Sequence, residues 1–220
     1  MNTSKPFRIK VSGPNACFTR PEMKVERVSY DVMTPSAARG ILEAILWKPA
    51  IRWRILQIDV LNPIKWESVR RNEVGKTANK PSAAAMRGEA VEPLGMFVEK
   101  ERQQRAGLFL RDVAYVIHAA FDLTERAGAE DTITKFTEMF IRRASTGQCF
   151  HRPYFGCREF AVDFEFVPRD AEPPQPIDVT KDLGWMLFDF DYSGSEPIAA
   201  FFNAQLKNGV LDLRDAEVRS

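Results

Sequence analysis

The alternation of apolar and polar positions lays out strands and helices along most of this chain. Phe7, Ile9 and Val11 alternate with Arg8 and Lys10 before Ser12-Gly13-Pro14, which predicts a half-buried strand over residues 6–12 ending in a turn. Thr34-Pro35 is an N-cap followed by proline at the first helical position, and Ala38, Ile41, Leu42 and Ile45 recur at helical spacing until Lys48-Pro49. Ile51, Trp53 and Ile55 share one face of a second strand, after which the apolar parity flips to Leu56, Ile58 and Val60, as at a bulge or bend. From Leu108 to Asp122 the odd positions Phe109, Val113, Tyr115, Ile117 and Phe121 are apolar. The even positions of this third strand carry Asp112 and His118, which places His118 half exposed on the sheet.

Between Asp131 and Ala144, Ile133, Phe136, Phe140 and Ile141 fall at spacings of three and four, with Arg142 and Arg143 near the C-terminal end, where cations suit the helix dipole. Phe160, Val162, Phe164 and Phe166 then alternate with Ala161, Asp163 and Glu165 as a one-sided strand. The resulting order, β-α-β-β-α-β, is the ferredoxin-like arrangement: an α+β fold with a four-stranded antiparallel sheet, both helices on one face and the other face free for a partner. This domain is expected to span residues 1–167. Its polar stretch at about 67–105 reads as an insertion, hairpin or mobile loop. Pro168 to Asp182, with four prolines, reads as a linker. Trp185–Tyr192 and Val210–Leu213 are expected strands of a small C-terminal antiparallel sheet within 168–220, and Pro197–Leu206 is left without an assigned type.

At 220 residues and 45% hydrophobic content the chain can bury a substantial core. The formal charge is only +1, so affinity for a polyanion must come from local clustering of basic side chains. Cys17, Cys149 and Cys157 cannot all pair and form no C-x-x-C unit, which fits a reducing cytoplasm. No apolar signal core or 18-residue apolar run is found, so a secreted or membrane-spanning protein is not expected.

Candidate chemistry concentrates in Gly147–Phe160, where glycines bracket Phe150, His151, Arg152, Tyr154, Phe155 and Arg158. Aromatic faces stack on bases and arginines meet phosphates, so the loop reads as a nucleic-acid surface. Cys149, His151 and Cys157 supply three possible metal ligands without a fourth, and no metal is expected; buried thiols are the alternative. Cys149 and His151 point apart on an extended chain, which argues against a nucleophile and base pair. Basic residues recur elsewhere at Arg39, Lys48, Arg52, Arg54, Arg70, Arg71, Lys76, Lys80, Arg102 and Arg105, with Trp47, Trp53, Trp66 and Tyr154 interleaved. Lys135 at the start of the second helix can reach a bound phosphate, although a solvated helix lysine is the commoner role.

Gly40 through Pro49, Arg102-Gln103-Gln104-Arg105, Leu110-Arg111-Asp112-Val113-Ala114-Tyr115 and the Gly147–Phe160 loop resemble the type I-C form of the CRISPR-associated Cas-five proteins, over roughly residues 5–167. The resemblance implies a ferredoxin-like RAMP domain with a small C-terminal β-sheet. It also implies an endoribonuclease that cuts precursor CRISPR RNA within each repeat and keeps the 5′ handle inside the interference complex. The implied chemistry is attack by a ribose 2′-OH on the adjacent phosphate, without metal or other cofactor. Implied partners are the repeat RNA and its 5′ handle, double-stranded DNA, and the Cas-seven and Cas-eight type subunits of the complex.

In several members of that family the catalytic groups are a tyrosine at the end of the first helix and a lysine-histidine pair at the start of the second. Here Leu46 stands in place of the tyrosine and Lys135-Phe136 in place of the pair, so only the lysine carries over. The catalytic candidates are accordingly Lys135, His118, His151 and Tyr30. Arg39, Trp47, Lys48, Arg105, Arg111, Tyr154 and Arg158 are the candidates for binding RNA. The alternative is a subunit that holds the RNA handle or double-stranded DNA without cutting.

Overall fold

The computed structural model describes residues 2–89, 95–192, 194 and 196–220. Its frame is built from β1 (Phe7–Ala16), α1 (Pro35–Ile45) and β2 (Ile51–Val60), then β3 (Trp66–Val74), a one-turn helix α2 (Ala83–Met86), β4 (Arg102–Leu123), α3 (Ile133–Ser145) and β5 (Asp163–Val167). β6 (Lys181–Asp191), β7 (Ile198–Lys207), β8 (Val210–Asp212) and β9 (Val218–Arg219) follow. The central strand order β5-β1-β4-β2, with antiparallel pairing throughout, is that of the expected ferredoxin-like sheet.

Both long helices start where the sequence supplies a cap. Thr34 Oγ1 accepts the Ala37 amide at 3.3 Å, with Pro35 at the first helical position, and Thr132 Oγ1 accepts the Lys135 amide at 3.2 Å. α1 buries Ala38, Ile41, Leu42 and Ile45, and α3 buries Phe136, Phe140 and Ala144. They meet the odd-numbered face of the sheet: Phe140 packs on Phe7 and Trp53 with ring centroids 5.0 and 4.6 Å away, and Phe136 stands edge-on to Phe121 at 6.4 Å. Each such aromatic withdrawn from water contributes about 1.5–3 kcal/mol.

The parity flip in β2 is a bulge. Its pairing with β4 shifts between Ile55 and Gln57, which keeps Ile55 and Ile58 both inside and sets Gln57 across from His118. The polar stretch after β2 is a hairpin outside residues 90–94, which lie beyond the described residues. β3 pairs with the first half of β4 from Trp66↔Leu110 to Val74↔Arg102, forming an arm that leaves the sheet. Where β4 enters the sheet, Asp112 has φ +52°, held by Asn62 Nδ2 on its carbonyl at 2.9 Å and by Lys65 Nζ on its carboxylate at 3.1 Å.

One expectation needs correction. The sheet face opposite the helices is not free. The chain leaves β5 at one edge, and by Ile177 its amide reaches Val60 O of β2 at 2.9 Å, so it crosses β1 and β4. With α1 and α3 on the other face, it must pass over this one. Arg8 ties it down through the carbonyls of Pro168 and Ala171, and Val116 on this face is completely buried. The expected C-terminal strands are present and antiparallel, and β8 also pairs with β2 (Ile58↔Leu211), which continues the sheet through β7 to β6. The unassigned stretch 197–206 falls mostly in β7, whose Phe202, Ala204 and Leu206 face the core.

Candidate nucleic-acid interface

The last carbonyls of a helix need donors from outside it, and those at the end of α1 recruit the rest of the site. Ala44 O accepts the Phe150 amide at 2.8 Å, Ile45 O accepts Arg143 Nη1 at 2.8 Å, and Leu46 O accepts the Trp53 indole at 2.9 Å. These bonds pin both the C-terminal end of α3 and the glycine-bracketed loop against α1. Beyond them Trp47 is 59% exposed and Phe150 85% exposed. No core requires these rings, and flat aromatic faces in solvent are stacking platforms for unpaired bases.

At the other end of α3, Lys135 Nζ lies 3.0 Å from Asp131 Oδ1 and 3.3 Å from Glu130 O. Asp131 is held below the usual carboxylate range by the bond from Lys135, then by the Gly128 amide and the charges of Lys135 and Lys48. Lys48, just past α1, is exposed, and its charge reaches Asp131. The loop turns at Gly147 (φ +69°) and Gly156 (φ +76°); a Cβ at Gly156 would stand 2.0 Å from Cys17 O, so only glycine fits there. Within it the exposed His151 ring packs edge-on to Phe150 at 6.0 Å and tilts toward Tyr154 at 6.5 Å. Arg152 pairs with Asp163, and Arg142 reaches Gln148 at 2.7 Å. The surface thus runs from His151 and Phe150, past Trp47 and Lys48, to Lys135.

The catalytic candidates do not converge on one point. Lys135 and Arg143 are eight residues apart, or about 12 Å along the helix axis, and His151 belongs to the Arg143 end. His118 lies on the opposite sheet face, its Nε2 2.7 Å from Asp59 Oδ2, which itself is buried. Tyr30 is 2% exposed; its hydroxyl accepts the Leu187 amide at 3.2 Å and its ring lies under Arg20. That burial keeps it from the surface and makes it a packing link to β6. Leu46 and Phe136, at 0% and 2% exposure, belong to the core. The side chains that do face outward beside them are Trp47, Lys48 and Lys135.

Among the RNA-binding candidates, Trp47, Lys48 and Tyr154 fall on this surface. Arg39 does not: it forks onto Asp189 of β6 at 2.8 Å to each oxygen and holds Glu43 at 2.7 Å. Arg105 sits on the hairpin arm, bonded to Glu73 and Gln103. Arg111 and Arg158 are exposed and form no side-chain ion pair among the described residues. Phe150 is the residue that the candidate set omitted; its signal was an aromatic outside any alternating run. Cys157 turns inward to Cys17 while His151 stays exposed, and no three His, Cys, Asp or Glu side chains gather as a metal site among the described residues.

The Cas5d family model, described as CRISPR-associated protein (Cas_Cas5), matches residues 7–214. A CRISPR pre-crRNA endoribonuclease Cas5d from Mannheimia succiniciproducens is 52% identical over 94% of this chain and 94% of its own. One of the same name from Thermus thermophilus is 46% identical over 84% of this chain and 73% of its own. The crystal structure of a CRISPR-associated protein shares the fold with a TM-score of 0.72 at 23% identity, over 100% of this chain and 99% of that one. The functionally uncharacterized protein SMU1763c from Streptococcus mutans does so at 0.69 and 22%, over 100% of both chains. By its family match and its identity to these relatives, this chain belongs to the Cas5d family of CRISPR-associated proteins.

Proposed function

We propose that this chain is a precursor CRISPR RNA endoribonuclease, cutting within the repeat and retaining the 5′ handle in an interference complex with Cas-seven and Cas-eight type subunits. Its identity to relatives named for that activity supports the reading. The observation that carries it is the exposed strip of Trp47, Lys48, Phe150 and His151 at the end of α1, with Lys135 exposed at the start of α3. The reaction forms a bond from the ribose O2′ to phosphorus and breaks the bond from phosphorus to O5′. It leaves a 2′,3′-cyclic phosphate and a 5′-hydroxyl, and the proton lost by O2′ is matched by one gained at O5′. No redox step or metal is needed where cations stabilise the phosphorane oxygens.

The separation of Lys135 from His151 divides their roles. Lys135 and Lys48 supply positive charge at the scissile phosphate, a contribution worth about 100- to 1,000-fold in rate per well-placed donor. Trp47 and Phe150 hold flanking bases so that O2′, phosphorus and O5′ come into line, and such alignment itself lowers the barrier. His151 and Tyr154 grip the strand at the far end of α3. Lys135→Ala should therefore slow single-turnover cleavage about 100-fold while changing RNA affinity little. His151→Ala should weaken affinity and leave the rate at saturating protein nearly intact. Unchanged cleavage by Lys135→Ala would rule out this assignment. The burial of Leu46 and Phe136 favours a second reading, a handle-binding subunit without cleavage, and tight binding without a cut would select it.

A further inference from the structure

Cys17 and Cys157 lie side by side beneath the glycine-bracketed loop, and RNA cleavage makes no use of them. The Cys17 amide donates to Phe155 O at 3.1 Å, and Gly156 stands against the Cys17 carbonyl, so the two backbones touch beside the pair. Cys157 Sγ is 3.8 Å from Cys17 O, which sets the two side chains beside each other. Cys17 is fully buried and Cys157 keeps 8% of its surface exposed. Arg27 Nη1 lies 3.4 Å from Cys157 Sγ and 3.2 Å from Glu159, which also holds Arg71 at 2.6 Å. Thr19 Oγ1 is 3.4 Å from Cys17 Sγ, and Phe109, Val69 and Phe160 close the pair from above.

We propose that Cys157 and Cys17 are a peroxide-sensitive thiol pair whose oxidation ties the 147–160 loop to the end of β1 through a disulfide. The neighbourhood gives the two sulfurs different tasks. The hydrogen bond from Cys17 and the Arg27 charge bring Cys157 down to about 6, against burial and the charge of Glu159. The same hydrogen bond and burial push Cys17 up, so it stays a thiol. A thiolate beside a guanidinium is the reactive form. It attacks one oxygen of hydrogen peroxide, the O–O bond breaks, and hydroxide leaves as Cys157 becomes a sulfenic acid. The Cys17 sulfur then attacks Cys157 Sγ, the S–S bond forms and water departs with the thiol proton. Two thiols and one peroxide give one disulfide and two waters. Backbone contact beside the pair supports the close approach a disulfide requires, and reducing thiols of the cell would reverse it.

The test treats the full chain with hydrogen peroxide, blocks free thiols with iodoacetamide and maps peptides by mass spectrometry. The expected product is a Cys17–Cys157 cross-linked peptide, abolished by dithiothreitol, with Cys149 still alkylated. Before oxidation, alkylation of Cys157 should rise through a midpoint near pH 6, and Arg27→Met should move that midpoint upward. In Cys17→Ser, Cys157 should stop at a sulfenic acid that dimedone traps. Recovery of both cysteines unlinked after peroxide, or linkage through Cys149, would overturn the proposal.

Discussion

Arg39 is a candidate for binding RNA by its sequence, and the structure gives it a different role, fastening the fold. In the structure its guanidinium forks onto Asp189 at 2.8 Å to each carboxylate oxygen, with both side chains under one-third exposed. Burial works against the charge of Arg39, yet the bonds it donates to Asp189 and Glu43, with their negative charges, outweigh it and hold its pKa above the ordinary arginine value. Hydrogen bonds to charged partners contribute about 1.5–3 kcal/mol each when well buried, and partial exposure returns much of that to solvent. Arg39→Ala should therefore cost about 2 kcal/mol, the Glu43 pair adding only a few tenths. With a urea dependence of about 2.5 kcal/mol/M for a chain of this size, the unfolding midpoint should fall by about 0.8 M. A double-mutant cycle with Asp189→Ala should recover most of this as coupling, while RNA affinity stays within about twofold. A drop in RNA affinity with an unmoved urea midpoint would refute the clamp and restore Arg39 to the RNA surface.

Phe140→Ala removes the ring that joins Phe7 and Trp53 under α3 and should cost about 3–5 kcal/mol, seen by calorimetry as a melting temperature lower by about 10 °C; a fall under about 2 °C would contradict the packing described. Gly156→Ala places a methyl group against the Cys17 carbonyl at a positive φ, so the 147–160 loop should become open to limited proteolysis and lose RNA affinity while the rest of the fold survives. Protection equal to that of the parent protein would show that the loop tolerates a Cβ.

The frame was legible wherever one face of an element meets the core. Thr34-Pro35 announced α1, and the break in alternation between Ile55 and Ile58 announced the β2 bulge before any partner strand was known. β3 and the first turns of β4 left no such mark, because both faces of the arm are largely exposed and Arg70, Arg71, Gln103 and Gln104 alternate with nothing apolar. β7 did carry a pattern in Phe202, Ala204 and Leu206, blurred by Phe201 beside it. The continuity of β8 with β2 was invisible, since edge pairing is made by backbone groups that any sequence supplies. At the site, Trp47, Lys48, His151 and Tyr154 were readable as residue types. That Lys135 starts the second helix and His151 follows its end was readable as well, whereas the spending of Tyr30 on Leu187 depended on packing alone.

Attack by the ribose hydroxyl beside the scissile phosphate is the proposed route by which this Cas5d-family chain cuts repeat RNA. The direct measurement incubates the purified protein, in EDTA, with its cognate repeat RNA and with a copy carrying a single 2′-deoxy substitution at the scissile nucleotide. The first RNA should be cut to a 2′,3′-cyclic phosphate and the second bound but left whole. Tight binding of both with neither cut would contradict it and leave a handle-binding subunit in its place.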